Sequence, residues 1–268
     1  MKFLQKPKKS LGQNFLIDKN IISKITNIIN IDEEKTVMEI GAGYGNLTEY
    51  IALKKPKKII AIEKDKNLSL FLEKKFKNYK NIKIFNQDIL EIINKKNLDE
   101  KIIVFGNLPY NISTKILASL IFLDKWPPWY DCLILMFQKE VAERILAKTK
   151  TKEFSRLSVL ANWRLDVKKN FDISKNCFSP KPKIDSTVLT FKPKKNNYVM
   201  LKNPKNLEIV TRLLFSNRRK MINKNFQKLF QKKISLEKTL DINLNKRPGE
   251  LSSETYYKIA AYYEKLFS

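Results

Sequence analysis

Four short apolar runs in the first half of the chain each stop abruptly on polar or glycine residues. "KTVMEIGAGYGNL" breaks at Gly41, "KKIIAIEKD" at Glu63, "NIKIFNQDIL" at Asp88 and "KIIVFGNLPY" at Gly106 and Asn107. A fifth run, "YDCLILMFQKEVAERIL", leads from a strand pattern into a helical one. Helical spacing fills the gaps, as in "NLSLFLEKKFKN" and "STKILASLIFL". Buried strands alternating with helices predict an α/β fold with a parallel, doubly wound sheet. Such a sheet gathers the carboxyl ends of its strands on one edge, where ligands bind.

Residues 20–30, "NIISKITNIIN", carry apolar positions at helical spacing. "CFSPKPKIDSTVLTFKPKK" reads as a proline-containing loop leading to a late strand. From about residue 196 strand signals stop and helical patterns take over, as in "LEIVTRLLFSNRRKMINKNF" and "SSETYYKIAAYYEKLF". Two domains are expected, 1–195 as the α/β body with a basic N-terminal arm, and 196–268 as a small all-helical domain.

The strand ends hold the candidate chemistry. Gly41, Gly43 and Gly45 lie at a strand-to-helix junction, where residues without Cβ atoms let a ligand approach the backbone. Taken alone, this loop also reads as a tight turn. Its spacing is neither a Walker loop nor GxGxxG. Glu63 ends the second strand, 22 residues after Gly41, where a carboxylate can accept from both ribose hydroxyls. Asp88 ends the third strand and can accept from an adenine amino group. Either acid alone reads equally as a solvated carboxylate, but together with the glycines they point to an adenosine-containing cofactor. At the fourth strand end, Asn107 offers an amide oxygen, and the rigid Leu108-Pro109 backbone offers a carbonyl. Together these can accept both protons of an exocyclic amine, although the stretch also reads as a proline turn with a core tyrosine. Tyr110 adds a face on which a base can stack.

Charge narrows the partner. The 268 residues hold 53 Lys+Arg against 27 Asp+Glu, a net charge of +26. Such an excess favours a polyanion, nucleic acid before a membrane surface. Lys8, Lys9, Lys181, Lys183, Arg218, Arg219 and Lys220 are candidate RNA contacts. Arg218 and Arg219 stand out because arginine is scarce here and binds phosphate bidentately. With no histidine in the chain, His-based triads and His-ligated metals are excluded. Cys132 and Cys177 have no partner spacing, and no metal is expected. The basic N-terminus lacks the apolar stretch of a secretory signal, and no apolar run is long enough to span a bilayer. A cytoplasmic protein is expected.

"KKSLGQNFL", "EIGAGYGNLT", "VFGNLPYNIS", "LMFQKEVAERI" and "FSPKPKIDSTV" together resemble the rRNA adenine N6,N6-dimethyltransferase family, small-subunit (KsgA) type. The resemblance runs from about residue 7 to 260. It implies a Rossmann-like class I methyltransferase sheet with helices on both faces, and S-adenosylmethionine as cofactor. It also implies dimethylation of two adjacent adenosines in a hairpin loop near the 3′ end of small-subunit rRNA. By the same resemblance Asn14 and Leu16 help close the cofactor site, and Gly41 and Gly43 approach the methionine part. Glu63 holds the ribose, Asp88 the adenine, and Asn107 lines the transfer point. Tyr110 and Phe178 sandwich the target adenine.

Two alternatives stay open at this level. One is the same chemistry on large-subunit rRNA or DNA. The other is a ribosome assembly or transcription accessory factor in which catalysis is secondary. The expected partner is small-subunit rRNA or the pre-30S particle, met by a monomer.

Overall fold

The computed structural model describes residues 12–93, 101–195, 199–231 and 241–267. Lys8 and Lys9, two of the expected RNA contacts, lie outside the described residues. The described chain forms two compact units. The first takes in described residues of Met1–Leu120, Pro127–Ala142 and Lys168–Pro193. The second takes in those of Ile121–Trp126, Glu143–Val167 and Lys194–Ser268. The boundary expected at 195 lies beside the last crossing between units. The second unit also gathers two earlier segments, which a change from strand to helix patterns does not reveal.

The first unit opens with β1 (Phe15–Leu16) and α1 (Lys19–Thr26). Asp18 caps α1, its carboxylate accepting from the Ile21 N–H at 3.0 Å. The helix stops at Asn27, short of the periodic stretch that suggested residue 30. Strands and helices then alternate: β2 (Thr36–Ile40), α2 (Asn46–Ala52), β3 (Lys58–Glu63), α3 (Lys66–Lys75), β4 (Ile82–Asn86) and α4 (Ile89–Ile92). Next come β5 (Ile102–Asn107), α5 (Ser113–Ile121), β6 (Tyr130–Gln138) and α6 (Lys139–Leu146). After α7 (Arg156–Arg164) follow β7 (Leu165–Ile173), β8 (Phe178–Ser179) and β9 (Ser186–Pro193).

The sheet order is β4-β3-β2-β5-β6-β9-β7. Neighbours from β4 to β6 pair in parallel, and β9 runs antiparallel to β6. Every residue of β2 is buried, as a parallel strand covered on both faces requires. Val37, Ile59, Ile103, Phe105 and Ile134 pack with Leu47 and Ile51 in one core cluster. The apolar runs seen in the sequence are therefore the parallel strands, four of them central and β4 at one edge.

One edge of the sheet escaped the sequence reading. β7, "LDVKKNFDI", mixes buried and exposed positions and carries Lys168 and Lys169, a common device for blunting a sheet edge. β1 and β8 have two residues each and pair antiparallel, with Leu16 opposite Phe178.

The second unit contains α7, α8 (Lys205–Leu214), α9 (Asn223–Leu229) and α10 (Ser253–Phe267). Buried Tyr257 donates its hydroxyl to the Val159 carbonyl at 2.9 Å, joining α10 to α7. Arg164 stacks between Trp126 and Trp163, 4.8 and 4.0 Å from the ring centroids. It donates to the Leu123 carbonyl at 2.9 Å. Among the described residues, no helix is long and apolar enough to cross a membrane.

Phe105 is fully buried at the middle of the sheet. Phe105→Ala is expected to lower the unfolding free energy by about 3–5 kcal/mol in urea titrations. A loss below about 1 kcal/mol would contradict its place in a close-packed core.

Candidate active site

The glycine loop and the first strand-end acid form one unit. Gly41 and Gly43 both take positive φ, 75° and 57°. A Cβ on Gly43 would sit 2.8 Å from the Phe15 ring, so strain and crowding both exclude a side chain there. The Gly43 N–H donates to Glu63 Oε2 at 2.8 Å, and the Asp65 N–H donates to Oε1, also at 2.8 Å. Each oxygen of this carboxylate keeps further accepting capacity, the arrangement a vicinal diol needs. Burial raises the Glu63 pKa, and the N–H bonds from Asp65 and Gly43 only partly offset this.

Asp88 stands at the start of α4 and caps it, Oδ1 accepting from the Leu90 N–H at 2.9 Å. Its other oxygen pairs with Lys64 Nζ at 2.8 Å. Burial pushes this carboxyl up, but the Lys64 ammonium and the Leu90 N–H outweigh it and hold its pKa below the usual carboxylate range.

At the end of β5, Asn107 Nδ2 donates to the Asn14 carbonyl at 2.7 Å. That bond assigns the nitrogen, so Oδ1 is the face of the amide left to accept. The Pro109 carbonyl already accepts from the Ile112 N–H at 3.1 Å, which favours the Leu108 carbonyl as the second acceptor. The Tyr110 hydroxyl lies 2.6 Å from Ser186 Oγ.

Asn14, Gly41, Gly43, Glu63, Asp88 and Asn107 line one cavity of the first unit, together with Leu108, Pro109 and Tyr110. Ile40, Ile62, Ile89 and Ile112 give it apolar walls. Leu16 lines a smaller adjoining cavity with Gly41, Gly43 and Asn107. Phe178 does not line either cavity. It is 3% exposed and belongs to the core cluster with Leu16, Ile22 and Ile173. Pairing of β8 with β1 draws this strand against the core. Lys181 and Lys183 of the first unit are exposed, as are Arg218, Arg219 and Lys220 of the second. Arg218 Nη2 donates to the Lys152 and Phe154 carbonyls at 2.9 and 2.6 Å, so part of its guanidinium braces a loop.

A family model described as "Ribosomal RNA adenine dimethylase" matches residues 4–265. The chain belongs to that family. Among its relatives, the Ribosomal RNA small subunit methyltransferase A of Pelagibacter ubique (strain HTCC1062) is 49% identical, covering 97% of this chain and 98% of its own. The protein of the same name from Sulfurihydrogenibium sp. (strain YO3AOP1) is 40% identical, with 95% of each chain covered. A dimethyladenosine transferase from Plasmodium falciparum has a similar solved structure, with TM-score 0.74, 26% identity, and 91% of this chain and 95% of that one covered. The 23S rRNA methyltransferase ErmE, at 19% identity and TM-score 0.65, shares the fold, covering 94% of this chain and 99% of that one.

The enzyme is thus an rRNA adenine N6,N6-dimethyltransferase that uses S-adenosylmethionine. The cavity fits that cofactor. Glu63 is an anchored acceptor suited to a ribose diol, isoleucines offer apolar faces for a flat base, and positive φ at Gly41 and Gly43 keeps side chains off the loop.

Sequence reading gave no role to several polar groups around this site. Glu39 lines the smaller cavity and is 2% exposed. Its acidity follows from burial, which raises the pKa from the usual 4.5 to about 8 despite the Thr48 hydroxyl, while Glu63 raises it and Lys75 lowers it further. Lys75 Nζ also reaches the Tyr44 carbonyl at 3.2 Å and pairs with Glu49 at 2.9 Å, tying α3 to the glycine loop and α2. None of these groups has a local sequence signature, because each acts across segments brought together only by the sheet.

Two outcomes are expected. Gly43→Ala should weaken S-adenosylmethionine binding by roughly tenfold or more in calorimetric titrations, since it strains the loop and displaces Phe15. Binding within about twofold of wild type would contradict the tight loop. The raised Glu39 contributes stability that is fully present below the usual 4.5 and is lost as pH rises through about 8. Thermal melts across that window should therefore show a smaller loss with rising pH for Glu39→Gln than for wild type. Equal slopes would count against a buried, protonated Glu39.

Proposed function

We propose that the enzyme dimethylates N6 of two adjacent adenosines in a hairpin loop near the 3′ end of small-subunit rRNA, presented on a small subunit or its precursor. Relatives at 49% and 40% identity bear small-subunit names, which supports the choice of subunit. One observation carries the chemistry: Asn107 Nδ2 is held by the Asn14 carbonyl at 2.7 Å, which leaves Oδ1 to accept from a target amine.

Bound S-adenosylmethionine supplies a methyl group on a sulfonium, already a strong electrophile. The protein's part is positioning. Adenine N6 is a poor nucleophile because its lone pair conjugates with the ring. Asn107 Oδ1 and the Leu108 carbonyl accept its two N–H bonds, favour a tetrahedral nitrogen and free that lone pair. Alignment of the amine provides much of the remaining rate. Glu63 and Asp88 serve the ribose and adenine of the cofactor, and the proton released from N6 passes to water. The monomethyl product keeps one N–H, so a second transfer can follow once that amine turns.

Tyr110 supplies one stacking face for the target base, which must leave its own stack or come from a loop. Phe178 supplies the second face after turning out of the core cluster as the base enters. Lys181, Lys183, Arg219 and Lys220 contact RNA phosphates, with Lys8 and Lys9 on the basic arm and the remaining edge of Arg218. The enzyme works as a monomer in the cytoplasm, coupled to small-subunit biogenesis.

Labelled S-adenosylmethionine offered with unmethylated small subunits, large subunits, naked rRNA and DNA tests this reading. N6,N6-dimethyladenosine is expected from small subunits alone. Label in large subunits or DNA would overturn the substrate, and absence of label everywhere would overturn the activity. If about six phosphate contacts form, RNA affinity should fall roughly a thousandfold between about 50 and 200 mM salt. A flat salt response would contradict the basic contacts.

A further inference from the structure

We propose that Ser186 is a positioning residue that sets where the target base stacks, by holding the hydroxyl of Tyr110, while its neighbour Asp185 steadies the segment that leads into Phe178. The inference rests on the reading of Tyr110 and Phe178 as the faces of the target base.

Ser186 is the first residue of β9 and has no exposed surface. Its Oγ lies 2.6 Å from the Tyr110 hydroxyl, a contact across 76 positions of sequence. Tyr110 lines the cavity beside Asn107. A phenol ring fixed at its backbone alone can pivot about two torsions. Fixed also at its hydroxyl, it can no longer swing about the first torsion, so the ring keeps one position beside the cavity. Burial raises the Tyr110 pKa and the Ser186 bond lowers it only in part, so the pair is a bond between two neutral hydroxyls at working pH.

Asp185 acts on the other side. Its Oδ1 accepts from the Lys175 N–H at 2.9 Å, at the start of the short turn Lys175–Cys177 that precedes Phe178. Its carbonyl accepts from the Lys139 N–H at 3.0 Å, where β6 passes into α6. Two consecutive residues of the "KIDST" stretch thus brace the Tyr110 loop and the Phe178 segment from one strand end. That common support lies on β9, away from the β2 and β3 strand ends that carry the cofactor loop, while β8 is tied to that loop through its pairing with β1, whose Phe15 lies against Gly43. Substitution at Ser186 should therefore change the placement of N6 while leaving cofactor binding intact. The second transfer should suffer more than the first, since a methylated amine must turn within the same space.

The test uses full-length protein and unmethylated small subunits under single-turnover conditions. Ser186→Ala, Ser186→Thr, Tyr110→Phe and the Ser186→Ala/Tyr110→Phe double variant are compared for both transfer rates and for S-adenosylmethionine affinity. Either single removal is expected to slow transfer about tenfold, raise the ratio of monomethyl to dimethyl product, and leave cofactor affinity within about twofold of wild type. The double variant should be no slower than the singles, because both remove one bond. Ser186→Thr, which keeps the hydroxyl, should recover most of the rate. If Ser186→Ala does not fold, Tyr110→Phe removes the same bond from the less buried partner. Additive effects in the double variant, an unchanged product ratio in both singles, or loss of cofactor affinity alongside rate would overturn the inference alone. A wild-type enzyme that transfers nothing to small subunits would overturn the reading of the substrate and this inference with it.

Discussion

Parallel strand pairing is the constraint on which the site depends. β4, β3, β2, β5 and β6 run the same way, so the chain turns out of each at the same edge. Gly41 follows β2, Glu63 closes β3, Asp88 follows β4 and Asn107 closes β5. Residues separated by as many as 66 positions, Gly41 to Asn107, therefore face one cavity. No single strand could assemble these groups, and an antiparallel order would send alternate ends to opposite edges. The N-terminal segment completes the arrangement from outside the sheet. Asn14 orients the Asn107 amide, and Phe15 packs where Gly43 has no side chain.

The electrostatics divide the carboxylates by environment. Glu39 is sealed off and driven toward its neutral form, which lets it sit near Glu63 without two full negative charges in one small volume. Glu63 keeps two backbone N–H bonds that fix its direction. Asp88, less buried, is matched by the Lys64 ammonium. This layout suits a reaction whose electrophile arrives already charged: the protein needs acceptors in fixed places more than it needs a strong base. The absence of histidine from the chain is consistent with that demand.

Much of the fold was legible because buried parallel strands advertise themselves as continuous apolar runs. β2, β3, β5 and β6 read clearly for that reason. β7 did not, because an edge strand with lysines looks like a loop, and two-residue strands such as β1 and β8 fall below any periodic signal. The grouping of 121–126 and 143–167 with the helical tail was also hidden, since it depends on packing rather than on local pattern. At the site, the strand-end positions of Gly41, Glu63, Asp88 and Asn107 could be read directly. The partners that orient them could not: Asn14 to Asn107 spans 93 positions and Tyr110 to Ser186 spans 76. Arg218 illustrates the converse. Its scarcity suggested phosphate, yet part of its guanidinium is spent on two loop carbonyls. Phe178 is likewise held in the core by β8 pairing, a placement its motif does not indicate.

The central claim is that Asn107, held through Nδ2, presents Oδ1 to the reacting amine. The most direct measurement is the single-turnover methyl-transfer rate of Asn107→Ala on unmethylated small subunits, taken beside its S-adenosylmethionine affinity. The account predicts a rate lower by roughly a hundredfold to a thousandfold, the usual cost of removing a group that stabilises the transition state, with cofactor affinity reduced by less than about tenfold. A variant that transfers methyl within about tenfold of the wild-type rate would contradict it.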